Sequence, residues 1–294
     1  MAATPSLIEQ FSAGPAQLRF DVYGAPREHI LDDLTFLNYR LADVEISSTV
    51  TLDKPDIIWI QDGPKSVSYG GGIVRFTGDW PAGPMQKMIV AVLALRMEDH
   101  GLHPWHASAV YYKGKTILII GGESNHGKSM ALIEVGVRGG IQLASETAVV
   151  NEDGVVVKGS VEPFLIKRTE GTERADKAAP LRPVEIFWGE MPKWEIDPTP
   201  RNVDVVLVPA IDGNFDPSIG EMIPFERQFQ SLHSIQNYFL TNELLAPGHT
   251  MPMLDNDVLR QRRAAWLEKF CVRPYYFSRG STPQVLIDQL EKVL

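Results

Sequence analysis

Residues 116–130 of the chain read TILIIGGESNHGKSM. The apolar run from Ile117 to Ile120 is typical of a β-strand that is buried on both faces. The glycine-rich pattern G-x-x-x-x-G-K-[ST] follows it directly, from Gly122 to Ser129. A helix is predicted next, from about Lys128 to Val137. This order of strand, glycine-rich loop and helix predicts an α/β fold and a loop that binds phosphate groups.

The chemistry of such a loop explains its residue types. Glycines let successive backbone N–H groups turn toward a phosphate, and the N-terminus of the helix adds a partial positive charge. Lys128 can reach the terminal phosphates, and the Ser129 hydroxyl can hold Mg²⁺. We therefore expect ATP and Mg²⁺ as cofactors, with a glycine-rich structural turn as the alternative. The residues expected to bind the nucleotide are Gly122, Glu123, Ser124, Asn125, His126, Gly127, Lys128, Ser129 and Met130.

The segments around the loop narrow the class of protein. A hairpin is predicted from Ala107 to Ile120 with its turn at 113–115, and strands are predicted at 141–150 and 155–157. The motifs LHPWHASAV at 102–110, GKS at 127–129, RGG at 138–140 and LASE at 143–146 resemble the catalytic core of the HPr kinase/phosphorylase family. The resemblance covers about residues 85–157.

This resemblance implies a mixed, curved β-sheet with flanking helices around the P-loop, similar to the fold of phosphoenolpyruvate carboxykinase. His106 matches the histidine of the family. The family has a pair of acidic residues after the next strand. An ungapped count from Lys128 places Ser145 on the first and Glu146 on the second, whereas a shift of one residue places Glu146 on the first.

A carboxylate at that position can accept the proton of an attacking hydroxyl or bind Mg²⁺. We therefore expect Lys128, Glu146 and His106 to be catalytic, and Ser129 and Glu146 to be metal ligands. One carboxylate cannot easily fill both roles, so a second is needed. Its candidates are Glu162, Asp204 and Asp212. The alternatives are a solvated strand-end position for Glu146 and a packed core position for His106.

The expected function is transfer of the γ-phosphoryl group of ATP to a hydroxyl of a small metabolite or a peptide. Lys167, Arg168 and Arg174 lie on a stretch of mixed charge that is either a solvated loop or a mobile arm bringing positive charge to the reaction. A protein serine kinase is one alternative. The other is a nucleotide-binding regulatory or scaffold protein without phosphotransfer, suggested by Ser145. The resemblance leaves room for a homo-oligomer, because HPr kinases form hexamers.

Composition and charge restrict the remaining classes of partner, location and metal site. The chain has 294 residues, a net charge of -9 and one cysteine, Cys271. An acidic chain disfavours nucleic-acid binding, and a single cysteine excludes an internal disulfide and favours a cytoplasmic location. We expect no membrane partner, and a zinc site at His100, His103 and His106 is disfavoured because Gly101 and Pro104 interrupt any common helix face. The expected organisation is a β-rich section at 1–84 followed by a kinase domain at 85–294.

Overall fold

The computed structural model describes residues 4–121, 126–161, 195–239 and 253–294. In these ranges the chain forms two mixed β-sheets and six helices, so the prediction of an α/β protein is confirmed. The helices are α1 (Thr35–Leu41), α2 (Ala82–Asp99), α3 (Lys128–Val137), α4 (Pro224–Gln236), α5 (Asp257–Phe270) and α6 (Pro283–Leu290).

The first sheet has six strands in the order β3-β1-β2-β4-β6-β5. Its strands are β1 (Leu7–Ala13), β2 (Ala16–Tyr23), β3 (Val44–Ser47), β4 (Ile57–Ile60), β5 (Ser66–Gly70) and β6 (Ile73–Thr77). All six strands lie within the section at 1–84 that the sequence predicts to be rich in strands. Its centre, however, is parallel: β4 pairs in parallel with both β2 and β6. Helix α2 packs against β1 and β2, and its apolar residues are almost all buried.

The second sheet has nine strands in the order β12-β11-β10-β7-β8-β13-β15-β14, with β9 also paired to β7. Its strands are β7 (Leu102–Tyr112), β8 (Lys115–Ile120), β9 (Ile141–Ala144), β10 (Thr147–Asn151), β11 (Val155–Gly159), β12 (Arg201–Asn202), β13 (Val205–Ile211), β14 (Ser218–Glu221) and β15 (Tyr275–Gly280). Strands β8, β13 and β15 run parallel, and β7 and β8 form the expected antiparallel hairpin.

Helices α3 and α6 cover one face of the second sheet. Their buried side chains, including Leu132, Val135, Leu286 and Ile287, form one apolar core with residues of β7, β8 and β13. Thr282 caps α6 as predicted, because its hydroxyl accepts a hydrogen bond of 3.3 Å from the Val285 N–H. This packing holds the amino end of α3 against the sheet.

Some predicted boundaries are wrong. The helix expected at 29–41 begins only at Thr35. The strand expected at 141–150 is two strands, β9 and β10, which are separated at Ser145 and Glu146. The interruption frees both residues from a regular ladder. The strand expected at 203–208 begins at Val205 and continues to Ile211.

Contacts divide the chain into two compact units, Met1–Pro104 with Ile235–Trp266, and Trp105–Ser234 with Leu267–Leu294. These units group the residues differently from the expected division at 84/85, which stays a prediction about domains. In the ranges that the structure covers, no helix combines the length and the apolar composition needed to cross a bilayer.

Candidate phosphate-binding site

The candidate site lies in the second unit, at the edge of the nine-stranded sheet where β8 ends. Because β8, β13 and β15 are parallel neighbours, their carboxyl ends meet at this edge. Open α/β sheets bind their ligands at such an edge. Strand β7 runs the opposite way, and Ala107 pairs with Ile120. His106, at the preceding position of β7, therefore lies beside Gly121, where the glycine-rich loop begins.

Gly127 connects the loop to α3 and requires a glycine for two reasons. Its φ is +99°, in the left-handed region that L-residues avoid. A Cβ atom placed on it would lie 2.7 Å from Cδ1 of Ile211. The Nζ of Lys128 donates a hydrogen bond of 2.9 Å to the carbonyl oxygen of Gly121. This hydrogen bond brings the two ends of the loop together and fixes the Lys128 ammonium beside Gly121, where the loop begins.

The other residues expected to bind the nucleotide fall into three groups. Ser129 and Met130 form the exposed first turn of α3, so the Ser129 hydroxyl is accessible. His126 is close to the start of the loop, because its Cβ lies 3.8 Å from the position that a Cβ of Gly121 would occupy. Gly122, Glu123, Ser124 and Asn125 lie outside the described residues. Their expected nucleotide contacts stay predictions.

His106 and Glu146 form a pair next to the loop. The Nδ1 atom of His106 lies 3.0 Å from Oε1 of Glu146, and the two side chains are 13% and 14% exposed. The backbone supports the pair, because the Ala107 N–H donates to the Glu146 carbonyl oxygen at 3.0 Å. An imidazole and a carboxylate this close to each other, both largely shielded from water, put two groups capable of accepting a proton beside the loop.

Ser145 points away from this pair. Its side chain is buried, and its hydroxyl donates a hydrogen bond of 2.8 Å to the carbonyl oxygen of Ser160. The Ser145 carbonyl oxygen in turn accepts from the Ser108 hydroxyl. Ser145 therefore has a structural role, and Glu146 is the residue of this strand break whose carboxylate faces His106.

The structure separates the candidates for the second carboxylate. Asp204 lies at the start of β13 and accepts a hydrogen bond of 2.8 Å from the Thr116 N–H, at the far end of β8. Asp212 follows the last residue of β13, Ile211, whose side chain contacts the Gly127 position. Asp212 is therefore at the loop edge and Asp204 is at the opposite edge. Glu162 lies outside the described residues.

Two residues at this edge were missed from the sequence. Phe215, in the connection between β13 and β14, is 55% exposed. The Arg279 guanidinium, on β15, lies 4.4 Å from the centre of the Phe215 ring and 5.6 Å from that of Phe277. Residues 215 and 279 are 64 positions apart in the chain. No local pattern indicates that they meet.

His103, one of the three histidines of the disfavoured zinc site, belongs to the first unit. His103 stacks on Trp266 and lies 3.4 Å from Glu98. Across the parts of the chain that the structure describes, no group of three or more His, Cys, Asp or Glu side chains is arranged to hold a metal ion. Lys167, Arg168 and Arg174, the predicted basic arm, lie outside those parts.

A scan against protein-family models gives no match for this chain, and a search of curated proteins gives none either.

Proposed function

We propose that this chain is an ATP-dependent kinase that resembles HPr kinase, with a phosphoenolpyruvate carboxykinase-like arrangement of the second sheet. It transfers the γ-phosphoryl group to a hydroxyl of a small metabolite or a peptide. The observation that carries the proposal is the position of the His106–Glu146 pair. It lies at the same sheet edge as the glycine-rich loop, one strand away from the strand that leads into it.

In this proposal Lys128 and the amino end of α3 bind the phosphates. The Lys128 ammonium donates to the neutral carbonyl oxygen of Gly121, and exchanging that hydrogen bond for one to a phosphate oxygen gains charge assistance. Phosphoryl transfer depends mostly on positioning and on neutralising the charge of the equatorial oxygens. Lys128 is suited to both, since the hairpin and α3 fix its backbone.

The His106–Glu146 pair acts as the general base. The acceptor hydroxyl gives its proton to the pair while its oxygen bonds to the γ-phosphorus, and the bond from that phosphorus to the bridging oxygen of ADP breaks. The His106 Nδ1 and Glu146 Oε1 atoms are 3.0 Å apart, so the imidazole and the carboxylate face the acceptor hydroxyl together. Low exposure keeps bulk water from taking the place of the acceptor.

Ser129, in the first turn of α3, and Asp212, directly after β13, would supply the hard oxygen ligands that Mg²⁺ prefers. Bound Mg²⁺ would neutralise charge on the β- and γ-phosphates. In this assignment Glu146 accepts the proton and Asp212 would bind Mg²⁺. The two roles are then divided between two carboxylates. The alternative of a regulatory or scaffold protein, suggested by Ser145, predicts nucleotide binding without phosphoryl transfer.

The proposal is tested by phosphoryl transfer from labelled MgATP to a panel of small hydroxyl compounds and serine peptides. We expect Lys128→Ala and Glu146→Gln to reduce the rate by about 100-fold or more. Lys115→Ala, at the other end of β8, is the matched control and should retain the wild-type rate. Asp212→Asn should raise the Mg²⁺ concentration needed for the half-maximal rate, whereas Asp204→Asn should leave it unchanged. Transfer that survives both Lys128→Ala and Glu146→Gln would overturn the proposal.

A further inference from the structure

Phe215 and Arg279 form an aromatic platform at the same sheet edge. Phe215 is 55% exposed although it is a large apolar side chain in a polar loop, between Asn214 and Asp216. The Arg279 guanidinium lies 4.4 Å from the ring centre, within the range of a cation–π contact. In the described residues Arg279 forms no ion pair with a carboxylate. The cation therefore holds the ring in place without being neutralised by an acidic group there.

The register of β15 places this platform relative to the loop. Arg279 pairs with Ala210, two residues before Asp212, and the Asp212 N–H donates to the Gly280 carbonyl oxygen at 2.9 Å. Strand β15 is two strands away from β8, which corresponds to about 10 Å along the sheet edge. The platform is therefore on the β13 side of the loop, and the His106–Glu146 pair is on the β7 side.

If the proposed function holds, the geometry of phosphoryl transfer puts the acceptor hydroxyl on one of these sides and ADP on the other. The attacking and leaving oxygens lie roughly in line on opposite sides of the γ-phosphorus. The acceptor oxygen must be near its base, at His106 and Glu146, so ADP extends away from β7, across β13 and toward β15. The base of the nucleotide then arrives at the edge that carries Phe215.

We infer that the exposed ring of Phe215, supported by Arg279, is the stacking surface for a purine base of the nucleotide donor. A planar base gains binding free energy by stacking on an exposed aromatic ring, and a purine covers more of the ring than a pyrimidine does. The positive charge of Arg279 also complements the anionic nucleotide. The donor is therefore a purine nucleoside triphosphate rather than a simple polyphosphate.

The test compares two Mg²⁺ complexes by calorimetry, ATP and inorganic tripolyphosphate, which has no base. We expect Phe215→Ala to weaken MgATP binding about tenfold or more and to leave tripolyphosphate binding unchanged. Phe215→Trp should keep wild-type ATP affinity, because it preserves the aromatic face. Phe225→Ala removes another exposed ring, 71% accessible on α4, and should change neither affinity.

The outcomes separate this inference from the proposed function. Equal ATP affinity in Phe215→Ala and wild type would overturn the inference, as would an equal loss for ATP and tripolyphosphate. In both cases the kinase proposal would stand as long as Lys128→Ala weakens both complexes. If the wild type binds neither complex, the proposed function fails and the inference fails with it. A purine preference over CTP and UTP that disappears in Phe215→Ala would support the stacking assignment.

Discussion

Replacing Arg263 by methionine should strongly destabilise the first compact unit. Arg263 is 1% exposed and bridges two buried carboxylates, Glu98 at 3% and Asp255 at 8%. Its Nε donates to Glu98 at 2.8 Å, and its Nη1 and Nη2 each donate to Asp255 at 3.1 Å. Methionine keeps the aliphatic stem but leaves both carboxylates buried without this cation. The expected loss is about 3–5 kcal/mol in the free energy of unfolding at pH 7.

The pH dependence of this loss has a defined sign. Burial by itself raises the pKa of Glu98, but hydrogen bonds from Arg263 and His103 outweigh it and hold the pKa below its usual value of 4.5. Glu98 thus contributes stability that is present above the unfolded-state pKa and is lost as the pH falls through the folded-state pKa. In Arg263→Met the hydrogen bonds from Arg263 that lower the Glu98 pKa are lost. The effect of burial is then less opposed, and the Glu98 pKa rises. The deficit relative to wild type should therefore shrink as the pH is lowered from 7 toward 5.

The assay is urea unfolding followed by circular dichroism at several pH values, with Arg262→Met as the matched control. Arg262 is the neighbouring residue on α5, and its side chain is 46% exposed beside the half-exposed Asp99. Its loss should cost about 1 kcal/mol or less. The double variant Glu98→Gln with Arg263→Met should recover part of the loss, because one buried charge is removed. Equal costs for Arg262→Met and Arg263→Met, or a deficit that grows on acidification, would refute the reasoning.

Three further predictions concern the second unit. Gly139→Ala adds only backbone strain at φ +87°, about 1 kcal/mol, whereas Gly127→Ala adds a steric overlap and should cost about 1–3 kcal/mol more, measured by urea unfolding. Ser145→Ala should cost about 1 kcal/mol, and Ser145→Asp should cost more without raising phosphoryl transfer, since it buries a carboxylate beside a carbonyl oxygen. Hydrogen bonds, the strongest from Lys113 and others from Tyr112 and Arg138, lower the pKa of Glu291 to about 2. The stability that Glu291 contributes should therefore be lost as the pH falls from about 4.5 toward 2. Unfolding curves of Lys113→Met should accordingly converge with those of wild type at the acidic end of that range.

Local patterns predicted several elements well. The helices at 128–137 and 257–270 and the Thr282 cap have the predicted bounds. These elements follow from the spacing of apolar residues, from glycine positions and from a capping hydroxyl, and all of these act within a few residues of one another. The glycine-rich motif likewise indicated a loop between a strand and a helix, which is where Gly121, Gly127 and Lys128 lie.

The strand break at Ser145 and Glu146 could not be predicted, because its cause is not local. The apolar residues around it continue on both sides and read as one strand. Ser145 leaves the ladder because its N–H and its hydroxyl both bond to the Ser160 carbonyl oxygen, at 2.7 and 2.8 Å. That partner directly follows β11, the strand that pairs with β10. Its position depends on the folded sheet.

The sequence by itself determined the glycine-rich motif, the α/β class and the titratable side chains around the motif, since these follow from periodicity and residue type. Only the tertiary structure decided which of these side chains lie together. It paired His106 with Glu146, and it placed Asp212 at the loop edge and Asp204 at the opposite one. The physical reason is strand direction and register. Sequence spacing does not indicate which strands become neighbours, whereas parallel pairing of β8, β13 and β15 brings distant residues to one edge.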